Sequence, residues 1–314
     1  MTRVVFMGTP EFAVPSLRAL VTHPDFDVVG VVTQPDRPAG RGGKLRESAV
    51  KKETLAQGLH FYQPETLRTN EAVAHIAAWG PDVIVVAAFG QILKPKVLNI
   101  PPHGCLNVHA SLLPRWRGAS PINAAIEAGD GVSGVTIMKM DAGMDTGPIL
   151  LQKRTAIAPR ETAETLHDRL AELGAEALIE VLPPYLAGVL DPQPQPPRDD
   201  EAVTYAKLLS REDGAIDWFA PAVIIDQKIR AYTPWPGAFT TWEGDLLKIL
   251  EAHPAAGSAG PGQVIEYGGE IAVGTGAGLL VLDTIQAAGG RAMDAGAFVN
   301  GHPDLIGAHL GTKA

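Results

Sequence analysis

Residues 3–33 read RVVFMGTPEFAVPSLRALVTHPDFDVVGVVT, and this stretch decides the fold. Arg3–Met7 is an apolar, β-branched run that stops at Gly8, the pattern of a buried strand. Thr9-Pro10-Glu11 carries three helix-start signals: a capping residue, proline at the first position and an acid in the first turn. Phe12, Leu17, Leu20 and Val21 then recur at roughly helical spacing, and Asp27–Thr33 is a second apolar strand. Strand, helix, strand in about thirty residues is a βαβ unit, with a right-handed parallel crossover as the default. Gly8-Thr9-Pro10 lacks the G-x-G-x-x-G spacing, so nothing here supports a nicotinamide dinucleotide.

Working outward, Gln34–Arg46 holds Pro35, Pro38, Gly40, Gly42 and Gly43 with scattered bases, a long connection for a βα junction. Ser48–Gln57 and Glu71–Trp79 have helical patterns, with a short strand at His60–Gln63 between them. Asp82–Ala88 (DVIVVAA) is a near-continuous apolar strand of the kind covered on both faces. The turn Phe89, Gly90, Gln91, Ile92, Leu93 leaves its carboxyl end, where open α/β sheets place ligands. Strands are expected at Gly104–Ala110, Gly134–Met140 and Pro148–Ile157. A long helix is expected over Glu161–Ala187, broken by Pro183-Pro184. DPQPQPPR at Asp191–Arg198 should be an extended linker. The expected division is residues 1–190, a linker at 191–208, and a second domain at 209–314. The second domain opens with a helix at Pro221–Tyr232. Five short apolar runs follow, from Ala238–Trp242 to Leu279–Ile285, and they read as a small β domain. Trp235 and Trp242 fit either its core or a base-stacking surface.

The chemistry gathers at Gly104–Pro121, GCLNVHASLLPRWRGASP. Asn107 and His109 are two apart, so on a strand they share a face, while Leu106 and Val108 take the other. Met140–Gly147 then places Asp141 and Asp145 in a Gly-rich loop. An amide donor for an oxyanion, an imidazole for proton transfer and a carboxylate to orient it are a workable acyl-transfer set.

Asn107-x-His109 with Ser-Leu-Leu-Pro, followed by Asp145-Thr146-Gly147, resembles the folate-dependent formyltransferases. Val5–Ala13, the loop Thr33–Gly42 and Trp235-Pro236 are similar to members of that family whose acceptor is initiator methionyl-tRNA. The resemblance runs from about Arg3 to about Ala288. It implies a Rossmann-like open sheet with helices on both faces, followed by a small OB-like β-barrel domain. It implies formyl transfer from 10-formyltetrahydrofolate, a co-substrate, to the amino group of methionyl-tRNA, with no metal. Asn107 and His109 would stabilise the formyl oxyanion, and Asp145 would hold the imidazole and favour its charged form. Folate would meet the turn Phe89–Leu93, the segment Ser111, Leu112, Leu113, Pro114, and Asp141. The loop would meet tRNA through Arg37, Arg41 and Lys44. The same chemistry on glycinamide ribonucleotide or an amino sugar is the rival. The barrel domain counts against the first and the Thr33–Arg41 loop against the second. A non-catalytic tRNA- or folate-binding module and a formate-releasing hydrolase remain further alternatives.

Composition sets limits. The chain has 314 residues and a net charge of −9, which counts against a broadly basic nucleic-acid-binding surface. Positive charge is local: Gln34–Lys52 has six bases against two acids, whereas Ala206–Ala314 has seven against twelve. The single cysteine, Cys105, permits no internal disulfide and fits a reducing compartment. It reads as a small core residue. No apolar run reaches the ~18–20 residues of a membrane span. MTRVVFMGTP lacks the apolar core and cleavage site of a secretion signal. A cytoplasmic monomer without a membrane partner is expected. No His, Cys and carboxylate group has zinc-site spacing.

Overall fold

The computed structural model describes residues 1–39 and 44–311. They form two compact units. The first comprises Met1–Pro121, Val132–Ala156 and His167–Ala206; the second comprises Ile122–Gly131, Ile157–Leu166 and the chain from Lys207 onward.

The first unit is built on β1 (Thr2–Gly8), α1 (Val14–Thr22) and β2 (Phe26–Val32), the βαβ unit of the opening stretch. Two short strands, β3 (Arg37–Ala39) and β4 (Lys44–Arg46), pair antiparallel within the Gly/Pro-rich connection expected to lack regular structure. Then come α2 (Ala49–Ala56), β5 (Phe61–Tyr62), α3 (Asn70–Ala78), β6 (Val83–Ala87), α4 (Pro95–Leu98) and β7 (Cys105–His109). The chain continues through β8 (Arg117–Gly118), α5 (Pro121–Glu127), β9 (Val132–Lys139), β10 (Ile149–Ala156), α6 (Ala163–Leu186) and β11 (Tyr205–Ala206). The main sheet has the order β10-β9-β7-β6-β1-β2-β5. It is parallel from β7 to β5, and β9 and β10 are added antiparallel. The chain runs from β1 outward through β2 to β5, then returns to the other side of β1 with β6. Strand order therefore reverses at β1/β6, the kind of position outside whose carboxyl ends open α/β sheets place ligands.

Two local expectations fail for physical reasons. Thr9 does not cap a helix: a single 3-10 turn at Glu11–Ala13 precedes α1 and has no side-chain cap. The Thr9 hydroxyl instead donates to the Phe89 carbonyl (3.0 Å), tying the end of β1 to the turn after β6. Pro183-Pro184 does not break α6, which continues to Leu186 with both prolines inside it. An interior proline costs about 3 kcal/mol, but these two lie in the last turn. Their carbonyls still accept from Ala187 and Val189. Buried Val181 and Leu182, and a bond from the Tyr185 hydroxyl to the His103 carbonyl (2.6 Å), hold the turn in place.

The second unit contains α7 (Ala222–Tyr232), β12 (Ala238–Trp242), β13 (Asp245–Ala255), β14 (Val264–Tyr267), β15 (Glu270–Gly274), β16 (Leu279–Ala287), β17 (Met293–Asp294) and α8 (Ala295–Gly301). The strands form an antiparallel sheet in the order β12-β13-β16-β15-β14, with β17 paired to β16. Ile225 and Ile229 of α7 pack with Leu247, Ile249, Val273, Leu280 and Phe298 in its core. Trp242 belongs to this core edge, its ring 5.8 Å from Phe298, whereas Trp235 is 55% exposed. Among the described residues, no helix is long and apolar enough to cross a membrane.

Candidate active site

β7 is an interior strand. Asn107 sits opposite Val86 of β6 on one side and Met138 of β9 on the other. Leu106 and Val108 are buried on the strand's other face, each contributing about 2 kcal/mol by leaving water. A one-residue slip would exchange the two faces and put Asn107 and His109 where Leu106 and Val108 pack, so the register that sets Asn107 and His109 on one face is firmly fixed. Asn107 is half-buried, and its amide has no hydrogen-bond partner among the described residues. His109 is buried to 5% exposure, with Nε2 3.1 Å from the Trp116 carbonyl. A carbonyl can only accept, so Nε2 carries a proton. Nδ1 is left as the position where a proton joins or leaves.

The exit from β7 brings that carbonyl back over the ring. The Ser111 hydroxyl donates to the Arg115 carbonyl (2.6 Å), and Thr136 Oγ1 donates to the Ser111 carbonyl (2.6 Å). The Gln152 amide donates to the Leu113 carbonyl (2.8 Å). Trp116 then adopts φ 61°, left-handed backbone, and its N–H donates to Thr204 Oγ1 (2.9 Å). Next, Gly118 has φ 117°, and a Cβ there would lie 2.4 Å from the Ala206 carbonyl oxygen. Only glycine lets β8 approach β11 this closely.

Asp145 closes the arrangement. Its Oδ2 accepts from the Gly118 N–H (2.8 Å), and its Oδ1 is 3.8 Å from His109 Nδ1. The carboxylate therefore faces the imidazole at ion-pair range rather than through a hydrogen bond. The ring's direct tether is the Trp116 carbonyl. Asp145 itself has φ 53°. Cys105, two residues before Asn107, is buried, and burial pushes its thiol up to about 12, so it is held as the neutral thiol.

The residues expected at folate divide by role. Phe89 and Leu93 are buried in the core. Gln91 is fixed by accepting from the Leu67 N–H (3.0 Å) and donating to the Pro64 carbonyl (3.3 Å). Gly90 is exposed and Ile92 is 67% exposed, so the turn offers solvent a glycine backbone and one large apolar side chain. Ser111 and Leu113 are buried; Leu112 and Pro114 are half-buried. Asp141 braces its own loop, with Oδ1 accepting from the Gly143 N–H (2.9 Å) and the Thr146 hydroxyl (2.7 Å).

Of the bases expected at tRNA, Arg41 lies outside the described residues. Lys44 opens β4. Arg37 makes an exposed ion pair with Glu65 (3.1 Å). The positive stretch is partly neutralised from within, because Lys51 pairs with Asp36 (2.5 Å) and Glu47 (3.1 Å). The Lys51 ammonium holds the Asp36 carboxyl below the usual range. A cleft of about 350 Å³ lies beside this hairpin, and Arg46 and Lys52 join Arg37 in its wall. Neither was named among the sequence candidates, though both lie in the same run of positive charge.

Residues 2–182 match the family described as Formyl transferase, and residues 208–303 match Formyl transferase, C-terminal domain. The chain belongs to the formyl transferase family. The methionyl-tRNA formyltransferase of Trichlorobacter lovleyi is 49% identical over 309 residues, covering 98% of this chain and 96% of that protein. That of Pseudomonas fluorescens is 48% identical over 315 residues, covering 99% and 98%. Among solved structures, WlaRD, a sugar 3N-formyl transferase, superposes with a TM-score of 0.66 at 17% identity, covering 93% of this chain and 99% of its own. That likeness speaks for the family's fold.

Proposed function

We propose that the chain transfers the formyl group of 10-formyltetrahydrofolate to the α-amino group of initiator methionyl-tRNA, yielding formylmethionyl-tRNA for translation initiation. The near-full-length similarity to proteins of that name supports the substrate pair. The observation that carries the chemistry is the convergence of Asn107, His109 and Asp145 at the carboxyl end of β7.

The neutral amine attacks the formyl carbon, and negative charge grows on the formyl oxygen. The Asn107 amide, free of other partners among the described residues, donates to that oxygen. His109, with Nε2–H held by the Trp116 carbonyl, supplies positive charge when Nδ1 is also protonated. Asp145, fixed by the Gly118 N–H, faces Nδ1 and stabilises that form. As the tetrahedral intermediate collapses, the C–N bond to folate breaks, the departing nitrogen takes a proton from His109 or a water, and the extra proton on the attacking amine returns to that donor, leaving the neutral formamide. Exposed Ile92 and Gly90 border the folate, and Arg37, Arg46 and Lys52 present charge to the acceptor end of tRNA. The protein works in the cytoplasm as a monomer. Incubation with methionyl-tRNA and 10-formyltetrahydrofolate, followed by ester hydrolysis and mass analysis, should yield formylmethionine. Recovery of unmodified methionine alone would refute the assignment.

A further inference from the structure

We infer that Gln195, from the Pro-rich segment that follows α6, is a positioning residue that holds Asp145 against His109. The inference rests on the role given above to Asp145. The Gln195 amide makes four hydrogen bonds. Its Nε2 donates to the carbonyls of Asp145 (2.9 Å) and Gly147 (2.7 Å). Its Oε1 accepts from Nε (3.1 Å) and Nη2 (2.8 Å) of Arg117. Turning the amide over would set oxygen against two carbonyls and NH2 against a guanidinium, so only one orientation satisfies all four.

Arg117 is buried to 1% exposure, and Nη2 also donates to the Pro196 carbonyl (3.1 Å). Among the described residues it has no carboxylate partner, and Nη1 is unpaired. Its charge therefore falls mainly on Gln195 Oε1, which polarises the amide and strengthens the two bonds from Nε2. Asp145 is thus held at both ends. Its carboxylate is held by the N–H of Gly118, next to Arg117, and its main chain by Gln195, which Arg117 orients. This double hold fits the Asp145 backbone, whose φ of 53° is left-handed, a conformation that aspartate tolerates better than most residues but that its contacts here hold in place. Without Gln195 the loop can relax to ordinary backbone and carry the carboxylate away from the imidazole. A segment whose composition reads as a spacer is thereby part of the site's support. Gln193 assists, exchanging backbone hydrogen bonds with Ile149 at the start of β10 (2.7 Å each).

Two variants separate the possibilities. Gln195→Ala removes all four bonds. Gln195→Glu keeps the acceptor for Arg117, as an ion pair, but cannot donate to the loop. Single-turnover formylation of methionyl-tRNA should slow by about 10–10²-fold in both, the scale of a misplaced catalytic group, with both KM values unchanged. A thermal melt of Gln195→Glu should show it fully folded at the assay temperature, which separates positioning from unfolding. In an Asp145→Asn background, Gln195→Ala should cost nothing further, because the group it positions is already lost. Additive losses, or parental turnover in Gln195→Glu, would overturn the inference. If Asp145→Asn is slow while both Gln195 variants turn over normally, the inference alone fails. If Asp145→Asn itself keeps parental turnover, the role of Asp145 fails, and the inference with it.

Discussion

Replacing Asn107 by alanine removes a single group, its half-buried side-chain amide. The backbone of β7 stays paired on both sides, and Leu106 and Val108 keep their burial on the opposite face. The side chain has no hydrogen-bond partner among the described residues, so no buried group is orphaned by its loss. Stability should change by less than about 1 kcal/mol, the range for changes that neither empty a core nor strand a polar group. The transition state loses an oxyanion donor, a loss of about 10²–10³ in turnover or roughly 3–4 kcal/mol. The assay is rapid-quench single turnover at saturating methionyl-tRNA and 10-formyltetrahydrofolate, beside a thermal melt. Asn107→Asp sharpens it: the shape is kept, but a charge repelling the oxyanion replaces the donor, so the loss should be greater. Turnover of the alanine variant within about tenfold of the parent, about 1.4 kcal/mol, would remove Asn107 from oxyanion stabilisation.

Asp145→Asn keeps the acceptor for the Gly118 N–H but presents no charge to His109; turnover should fall at least about 10²-fold with an unchanged melting temperature, and near-parental turnover would refute the ion-pair role. Gly118→Ala forces a Cβ to 2.4 Å from the Ala206 carbonyl in left-handed backbone, so both melting temperature and turnover should drop; a variant matching the parent in both would show that β8 and β11 separate freely. Cys105 should resist alkylation at pH 8 in the folded protein and react once denaturant is added, as quantified by mass spectrometry; rapid native labelling would contradict its burial. Because its folded value is raised to about 12 from 9.0, its contribution to stability is complete below about pH 9 and lost progressively towards pH 12; a denaturation midpoint unaffected across that interval in the parent relative to Cys105→Ala would count against it.

Much of the first unit was legible because short-range rules decide it. The apolar runs at Val4–Met7, Val28–Val32 and Val83–Ala87 read as strands from their pattern alone, and the structure has strands there. Asn107 and His109 could be paired from their spacing alone. What the sequence hides is where backbone groups go after the chain closes. The Trp116 carbonyl as tether of His109 and the Gly118 N–H on Asp145 carry no side-chain signature. Thr9 could cap locally, yet the Phe89 carbonyl, 80 residues away, wins its hydroxyl. Gln195 sits in a proline-rich stretch whose composition says only that it is extended; its partners are set by tertiary closure. The pairing of Lys51 with Asp36 likewise lowers the effective charge of a stretch that looks more basic when counted.

The most direct test of the account is single-turnover transfer with label in the formyl group, offering methionyl-tRNA, glycinamide ribonucleotide and no acceptor in parallel. Label should appear on methionyl-tRNA alone. Label on the small amine, or released as formate without an acceptor, would leave the acyl-transfer chemistry of Asn107, His109 and Asp145 in place but contradict tRNA as the acceptor.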